Sequence, residues 1–512
     1  MSNVKENHLH DGEKMQIEDM QKCKYEYVMA LKHTLNGKLF TKDFDNWTLS
    51  QQYDWVNKNL RKFYPNVPES LLHLIPAFFR QDECGRSQID VPIWLDVEKY
   101  HKGQKFVHDY YTPIIMGTFL SVLHTYSFGD ELKPLILGAK SHTPYLAFKR
   151  YHAIILRNMQ IPLCAEYSSD YSINASQVNR SVKKKTNVVH KSNTSTYKEF
   201  NTEEFQQDFS LTTFRIILQF PFLSAQSRVE SWYNGEPWVK ETCAYKDMQF
   251  TRKIHQIVRT KASQLSEDTY DALCTFANPW CPDRELLLKD FTAACSLEKL
   301  EQLLFKLFTN SPYRPKPLNH ADLVMLQYAL MGMVVLHPHK YGAHDATEEE
   351  LEGFCHMWRC YGYLLGIEDE YNLCRGSLKE TRQLIQDLSE YWIIPYLKYA
   401  TPEWEHITRC MVQSFNYFPM MYMPYRSALL LDMDILGVNM SYLYASLSYS
   451  EWIAYFAWKF VLRYVMKSSY IRVRFNKMIN SNLKDMYNLN PEKDKEYYEK
   501  SIKQIKDFCI TN

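Results

Sequence analysis

The chain contains 512 residues, and its 60 Lys and Arg residues against 59 Asp and Glu residues give a formal net charge of +1. This balance excludes nucleic-acid binding driven by bulk charge, because the chain presents no global field to a polyanion. Hydrophobic residues make up 46% of the chain, which excludes wholesale disorder. Gly and Pro number only 15 and 21, and this scarcity of turn residues disfavours a turn-rich β-sandwich. The composition therefore predicts an all-α fold with a large apolar core.

The 12 cysteines are scattered and form no CxxC pair, so neither a zinc ribbon nor a thioredoxin-like site is predicted. Residues 1–25 are charged and lack the apolar run of a secretory signal peptide. We therefore expect reduced thiols and a cytoplasmic protein.

In chain order, residues 1–24 are polar and are predicted to be flexible, and one large helical domain is expected over residues 25–466. Two apolar stretches, 109–126 and 132–156, have the character of buried helices, and the second is expected to be interrupted at Pro144.

The tract 110–129 is the longest without an acidic or basic residue, histidine aside, and it approaches the length of a membrane span. Because it contains Pro113, Gly117 and His124, it is better explained as a buried core helix. A helical tail is expected over residues 467–512. The Tyr- and Trp-rich carboxyl-terminal part leaves peripheral membrane contact open, for example at the cytoplasmic face of the endoplasmic reticulum.

A change of composition marks residues 167–204, which are rich in Ser, Asn, Thr and Lys and have almost no apolar periodicity. Such a segment buries too little apolar surface to offset its ordering entropy, so a long disordered insertion is predicted here. The basic run 183–185 within it is interpreted as a solvated part of a flexible loop.

Helical periodicity returns after the insertion. Thr347 with Glu350 forms a capping box at the start of one helix, and Gly366 follows its end as the residue that terminates it. No internal repeat is present, and neither a phosphate loop nor a zinc-protease or serine-hydrolase motif occurs. Helices are predicted over 246–263, 286–307, 321–336, 348–365, 378–399, 404–414, 428–463 and 492–508.

One histidine lies in an unusual setting, in the run RKIHQIVR at residues 252–259. At about 100° per residue, Arg252, His255 and Arg259 fall within a sector of roughly 60° of the predicted helix. Like charges lower the pKa of a histidine, and a neutral imidazole is what an iron needs as an axial ligand. Two guanidinium groups beside it would suit haem propionates. Phe250, Ile254, Ile257 and Val258 fall on the opposite side and are expected to anchor the helix to the core. The alternative is a solvated basic face on a surface helix.

Two blocks of sequence resemble the rubber oxygenase (latex clearing protein) family, which includes a fungal membrane-associated oxygenase of mycophenolic acid biosynthesis. The first block reads WYNGEPW at 232–238 and continues through AYKDM at 244–248 to RKIHQIVR at 252–259. The second block, 322–369, contains HMWRCYGYLLGIED at 356–369. The resemblance covers residues 90–400, interrupted by the insertion.

The resemblance implies an all-helical protein with a globin-like core that holds one haem b. His255 matches the proximal iron ligand of the family, and Arg252 and Arg259 match the flanking arginines. It also implies dioxygen as co-substrate and cleavage of an isoprenoid carbon–carbon double bond. The expected function is a haem b-dependent oxygenase, an oxidoreductase, acting on an apolar, isoprenoid- or lipid-like small molecule by oxidative cleavage or oxygenation.

The distal side departs from the rubber-degrading members, whose Arg-x-x-Lys-Thr cluster and glutamate base have no full counterpart. The nearest segment is SAQSRVES at 224–231, in which Arg228 matches the arginine as a catalytic residue and Glu230 is a poor match to the base. Rubber itself is therefore not the expected substrate. Two alternatives stay open: a catalytically degenerate haem-binding or scaffold relative, and an interaction protein whose functional surface is the insertion 168–204.

In the second block, His356, Trp358 and Gly362 are interpreted as packing positions rather than ligands, since glycine allows close helix approach. Gln327 is expected to hydrogen-bond to Arg359 in the core.

Overall fold

The structure, a computed structural model, describes residues 19–505 apart from residues 36, 38, 82–85, 128, 138–140, 150–232, 295–307, 309–310, 419–421 and 488–489. These residues form helices, turns and one isolated β-bridge between Gln81 and Asn319, with no strand among them. The predicted all-α fold is confirmed for this part of the chain. The predicted insertion 167–204 lies outside the described residues.

The helices before the insertion form the first half of the fold. They are α1 (19–34), α2 (Leu49–Phe63), α3 (Glu69–Leu72), α4 (Val97–Asp109), α5 (Tyr111–Thr125), α6 (Gly129–Leu137) and α7 (144–149), with a 3-10 helix at Ile75–Phe79.

The helices after the insertion form the second half. They are α8 (Cys243–Ala262), α9 (Glu267–Leu273), α10 (Arg284–Ala294), α11 (His320–Gln327, a π-helical turn Tyr328–Gly332, and Met333–Leu336), α12 (Pro338–Tyr341), α13 (Glu348–Leu364), α14 (Leu378–Leu388, a π-helical turn Ser389–Ile393, and Ile394–Tyr396), α15 (Pro402–Ser414), α16 (Tyr425–Leu436), α17 (Ser441–Ala445), α18 (Tyr449–Arg463), α19 (Ser469–Tyr487) and α20 (Pro491–Ile505).

The ends of these helices follow local sequence signals. The predicted capping box is present: the Thr347 hydroxyl accepts from the Glu350 backbone N–H at 3.2 Å, and the Glu350 carboxylate accepts from the Thr347 N–H at 2.9 Å. Gly366 has a φ of +106°, a left-handed conformation that glycine adopts without strain, and α13 ends just before it.

Two predictions about helix boundaries are wrong. Helix α1 begins at residue 19, inside the segment expected to be flexible, because Cys23, Tyr27 and Leu31 recur every four residues and are buried. The predicted helix 428–463 is divided into α16, α17 and α18, because Gly437 adopts a φ of +77° and terminates the first of them.

The larger of two hydrophobic clusters in the described chain runs from Tyr27 in α1 to Ile479 in α19, and the smaller one packs Ile254 and Val258 of the later helix Cys243–Ala262 against Leu137, Cys274 and Leu318. Helices α4 and α13 approach most closely at Gly103 and Gly353, where a Cβ on Gly103 would clash with the Gly353 carbonyl and lie 2.8 Å from the Met357 Cβ. This crossing requires glycine at position 103 and leaves little room at Gly353, whose Cβ would lie 3.0 Å from the Gly103 nitrogen. It places α13 beside the amino-terminal half of the fold.

The tail packs onto the same body. The Tyr145 backbone N–H donates to the Ser501 hydroxyl at 2.9 Å, and both residues are buried. In α19, the Asn476 side-chain carbonyl accepts from the Thr112 hydroxyl at 2.6 Å. Among the described helices, none is both long enough and apolar enough to cross a bilayer.

Candidate functional site

Helix α8 carries His255, the candidate iron ligand. The Thr242 hydroxyl caps the helix by accepting the Tyr245 backbone N–H at 3.0 Å, and the following 20 residues contain no Gly or Pro. His255 is only 2% exposed and lies on the buried face together with Ile254 and Val258. The helix therefore presents this imidazole to the interior.

The expected arrangement of α8 needs one correction. Ile254 and Val258 do not anchor the helix on the side opposite His255, because the buried face includes the histidine itself. At about 100° per residue, Val258 lies about 60° to one side of His255 and Arg252 about 60° to the other. The histidine is thus inside the apolar sector, and the arginine is at its border.

Arg252 and Arg259 are half-buried and lie three and four residues from His255, on adjacent turns of one face. Burial lowers the pKa of the Arg259 guanidinium to about 10, because desolvation penalises its charged form. A desolvated cation at this position is stabilised by a nearby anion. The predicted trio is therefore brought together, with the histidine buried and the arginines at the edge.

A small cavity of about 20 Å³ lies in front of His255. Helix α8 contributes one wall, while α11, α13 and the chain that follows α13 contribute the others. Apart from the imidazole, one hydroxyl and one amide, its lining is apolar. The lining residues are Thr251, His255, Leu323, Leu326, Gln327, Leu330, Trp358, Gly362, Leu365 and Ile367.

These residues come from the two blocks that carry the sequence resemblance. Thr251 and His255 lie within or beside the first block, and the second block, 322–369, supplies the other lining residues. Although a long segment separates the two blocks along the chain, they form the walls of one cavity.

The buried side-chain amide of Gln327 connects α11 to α13 and to the chain after α13 beside this cavity, and we call its three hydrogen bonds the amide clamp. The Gln327 side-chain N–H donates to the Trp358 carbonyl at 3.0 Å and to the Asn372 side-chain carbonyl at 3.3 Å, and its oxygen accepts the Leu373 N–H at 3.1 Å. A Cβ on Gly362 would lie 2.5 Å from the Gln327 amide nitrogen. The packing role predicted for Gly362 thus has a specific cause: the Gln327 amide occupies the space that a side chain at position 362 would need.

The expected bond from Gln327 to Arg359 is wrong. Arg359 instead makes a bidentate ion pair with Asp369, at 2.9 and 2.6 Å, and its guanidinium lies 4.0 Å from the centre of the Trp94 ring. A planar guanidinium pairs more strongly with a carboxylate than with a neutral amide, so Arg359 binds the nearby Asp369 rather than Gln327.

His356, in the same helix, accepts the Asp96 backbone N–H at 3.0 Å and packs edge-on against the Trp94 ring. It has a structural partner at the start of α4 and does not line the cavity. This location agrees with its interpretation as a packing residue.

Three other histidines of the described chain are deeply buried. The His406 Nδ1 accepts the backbone N–H of Trp280 at 2.8 Å, and burial lowers the pKa of His406 to about 4. His320 packs against the Tyr371 ring at 5.4 Å, and desolvation lowers its pKa as well. Neither of these two lines the cavity, and His124 belongs to a separate cluster.

That cluster was missed from sequence. His124 and Asp432 are both fully buried, and the His124 Nδ1 lies 2.9 and 3.0 Å from the two carboxylate oxygens. Tyr328 and Ser389, one in each π-helical turn, share a hydrogen bond of 2.8 Å beside them. An acidic residue inside the apolar run 428–435 is the signal that could have revealed it. The four side chains satisfy one another, which assigns the cluster a structural role.

Arg228, the predicted catalytic residue, lies outside the described residues. Within the described ranges, no group of three or more His, Cys, Asp and Glu side chains could hold a metal ion. An iron at His255 would therefore need its remaining ligands from a macrocycle or from outside the described part.

The chemistry of the donor set fits a haem, but the space does not. A buried imidazole with two arginines at the edge supplies an axial ligand and anion partners. A cavity of about 20 Å³ holds roughly one water molecule, whereas pockets for cofactors and drug-sized ligands measure about 300–1,000 Å³. In this conformation the described walls leave no room for a porphyrin.

No protein-family model, no curated protein and no solved structure matches the chain. Membership of the rubber oxygenase family and a globin-like core therefore stay predictions that rest on the residues quoted above.

Proposed function

We propose that the protein is a haem b-dependent oxygenase that uses dioxygen to oxidise an apolar, isoprenoid- or lipid-like molecule. The observation that carries the proposal is the position of His255. This imidazole is buried in a mostly apolar cavity whose walls come from both blocks of the resemblance. Neither block alone would make such a site.

The residues of the chain have distinct roles in this proposal. His255 would hold the iron through its imidazole. Arg252 and Arg259 would bind the propionates, and the desolvation of Arg259 strengthens its interaction with an anion. The haem, when bound, supplies the dioxygen chemistry.

The substrate class follows from the walls. Leu323, Leu326, Leu330 and Trp358 offer apolar surface and no charge, which favours a hydrocarbon over a polar metabolite. Arg228 is proposed to act on the distal side, as the resemblance implies.

The volume of the cavity supports a second candidate, a scaffold of the same fold that does not use haem. Because the described walls enclose about 20 Å³, haem binding requires these walls to move apart. The first candidate predicts this opening, and the second predicts that the cavity stays closed.

Oxygen uptake separates the two candidates. The purified chain, supplied with haem and a lipid extract, is expected to consume dioxygen, and His255→Ala is expected to abolish the uptake. His356→Ala is the matched control, because His356 lies outside the cavity, and uptake should survive it. Equal uptake in the wild type and in His255→Ala would refute the proposal. Absence of uptake together with absence of retained haem would favour the scaffold.

We place this activity in the cytoplasm, with the cytoplasmic face of the endoplasmic reticulum as its site when a membrane supplies the substrate. Five cysteines of the described chain are free thiols, as a reducing compartment favours: Cys23, Cys281, Cys355, Cys360 and Cys374.

A further inference from the structure

Helix α18 presents large apolar side chains to solvent. At about 100° per residue, six of them fall in a sector of about 120°, and Ala454, Tyr455 and Leu462 on the opposite side are buried in the core. Exposure reaches 80% at Tyr449 and 57% at Phe460. We call this sector the aromatic face, and it comprises Tyr449, Trp452, Ile453, Phe456, Phe460 and Tyr464.

The aromatic face is an ordered surface. The Trp452 and Phe456 rings lie 4.4 Å apart between centroids, and those of Phe460 and Tyr464 lie 5.5 Å apart. The Trp452 indole N–H donates to the Tyr444 hydroxyl at 3.0 Å. Scattered apolar residues are common on protein surfaces, but a contiguous strip of this kind marks an interaction site.

The charge around the aromatic face is strongly one-sided. Residues 441–477 contain six Lys and Arg residues but one acidic residue, Glu451, whereas the whole chain is nearly neutral. The Glu451 carboxylate caps α18 by accepting the Ser448 N–H at 2.8 Å. Of the six cations, Lys459 and Arg463 pair with Asp434, and Arg472 pairs with Asp345, so the unpaired positive charge of this segment lies at its carboxyl-terminal end.

Part of this positive charge faces outward. Lys467, Arg474 and Lys477 are exposed, and within the described ranges no carboxylate pairs with them. Lys467 lies 5.4 Å from the Tyr464 ring, and the Arg474 guanidinium donates to the Tyr470 hydroxyl at 3.3 Å. Lys467 therefore lies at the end of the aromatic face, and Arg474 lies on α19 beside the exposed Tyr470.

We propose that the aromatic face docks the protein onto the surface of an anionic lipid bilayer. Tyr, Trp and Phe side chains favour the boundary between headgroups and acyl chains, and a cationic rim complements acidic headgroups. A 15-residue helix is about 22 Å long and cannot span a hydrocarbon core of about 30 Å, so it lies in the plane of the interface. A second copy of the chain would bring the same positive rim against itself.

This inference goes beyond the proposed oxygenase and does not depend on haem, so its test needs neither cofactor nor substrate. The full chain is mixed with vesicles of phosphatidylcholine, with or without about 25% phosphatidylserine, and centrifuged to float the vesicles. The protein is expected to float with the anionic vesicles and to stay in solution with the neutral ones.

Two double variants test the contribution of the apolar side chains to membrane binding. Tyr449→Ser with Phe460→Ser is expected to weaken partitioning at least about tenfold, because two large apolar side chains no longer enter the interface. Val91→Ser with Ile93→Ser is the matched control: both residues are exposed apolar residues outside the face, and partitioning should not change. Circular dichroism checks that every variant keeps its helical content.

The charge is tested by Lys467→Glu with Arg474→Glu, which should remove the preference for anionic vesicles. Wild-type protein that floats with neither vesicle type would overturn the proposal. A second copy of the chain would be the partner of the aromatic face if three results came together. The wild type would form dimers in solution, the Tyr449 and Phe460 double variant would be monomeric, and neither would bind vesicles. Equal weakening by the control pair would also overturn it.

Discussion

Replacing Gly362 with alanine probes the clamp beneath the candidate site. The new Cβ would lie 2.5 Å from the Gln327 amide nitrogen and 2.6 Å from that of Asn372. Neither amide can move freely, since Gln327 holds the Trp358 carbonyl at 3.0 Å and Asn372 holds the Arg359 carbonyl at 2.9 Å. The substitution must therefore displace a buried hydrogen-bonded pair.

The expected loss combines two costs and one gain. Overpacking a closed core costs about 1–3 kcal/mol. Leaving a buried amide without its partner costs about 1–3 kcal/mol more. The better helix propensity of alanine returns roughly 1 kcal/mol. Gly362→Ala should thus lower the free energy of unfolding by about 1–5 kcal/mol.

Urea unfolding followed by circular dichroism measures this loss, and Gly332→Ala is the matched control. Gly332 is equally buried, but its added Cβ would meet nothing nearer than the Tyr328 ring at 3.4 Å, an ordinary contact. The control should stay within about 1 kcal/mol of the wild type. If the two variants unfold at the same urea concentration, the clamp does not constrain this position and the reasoning is refuted.

Two further stability predictions concern buried charges. Asp432→Ala leaves the buried His124 Nδ1 without its hydrogen-bond partner and should lower the free energy of unfolding, measured by thermal unfolding, by about 1–3 kcal/mol. Asp432→Asn keeps a side-chain oxygen that can accept from the His124 Nδ1–H, so it should cost less than half as much; equal losses would contradict this. Although burial alone would raise it, the His320 and Arg80 side chains hold the pKa of Glu368 at about 2. A depressed folded pKa stabilises above the unfolded value, so Glu368→Gln should cost about 2 kcal/mol at pH 7, with the gap closing between about pH 5 and pH 2. A gap that does not depend on pH would count against this origin.

Local features of the fold could be predicted from sequence because their causes lie within one turn of helix. The capping box at Thr347 and the terminating Gly366 depend only on neighbouring residues, and both are present. The all-α class followed from the scarcity of turn residues. The boundary at Gly437 was missed because this glycine lies within an apolar run, and the sequence does not show that its backbone adopts a left-handed conformation.

The candidate site was predictable in part. Periodicity placed Arg252, His255 and Arg259 on one side of a helix, but it could not decide which edge of that side faces the core. The partners of Gln327 were not predictable, since they depend on where the chain at 372–374 returns to α13. The aromatic face of α18 was hidden for the same reason: sequence shows its apolar residues, and only packing shows which of them stay exposed.

The absorption spectrum of the purified protein after incubation with haem tests the central claim most directly. We expect a Soret band that persists through gel filtration in the wild type and in His356→Ala and that is lost in His255→Ala. Such a result would require the small cavity in front of His255 to open for the porphyrin. The absence of a retained band, or a band that His255→Ala leaves unchanged, would contradict the assignment of His255 as the iron ligand.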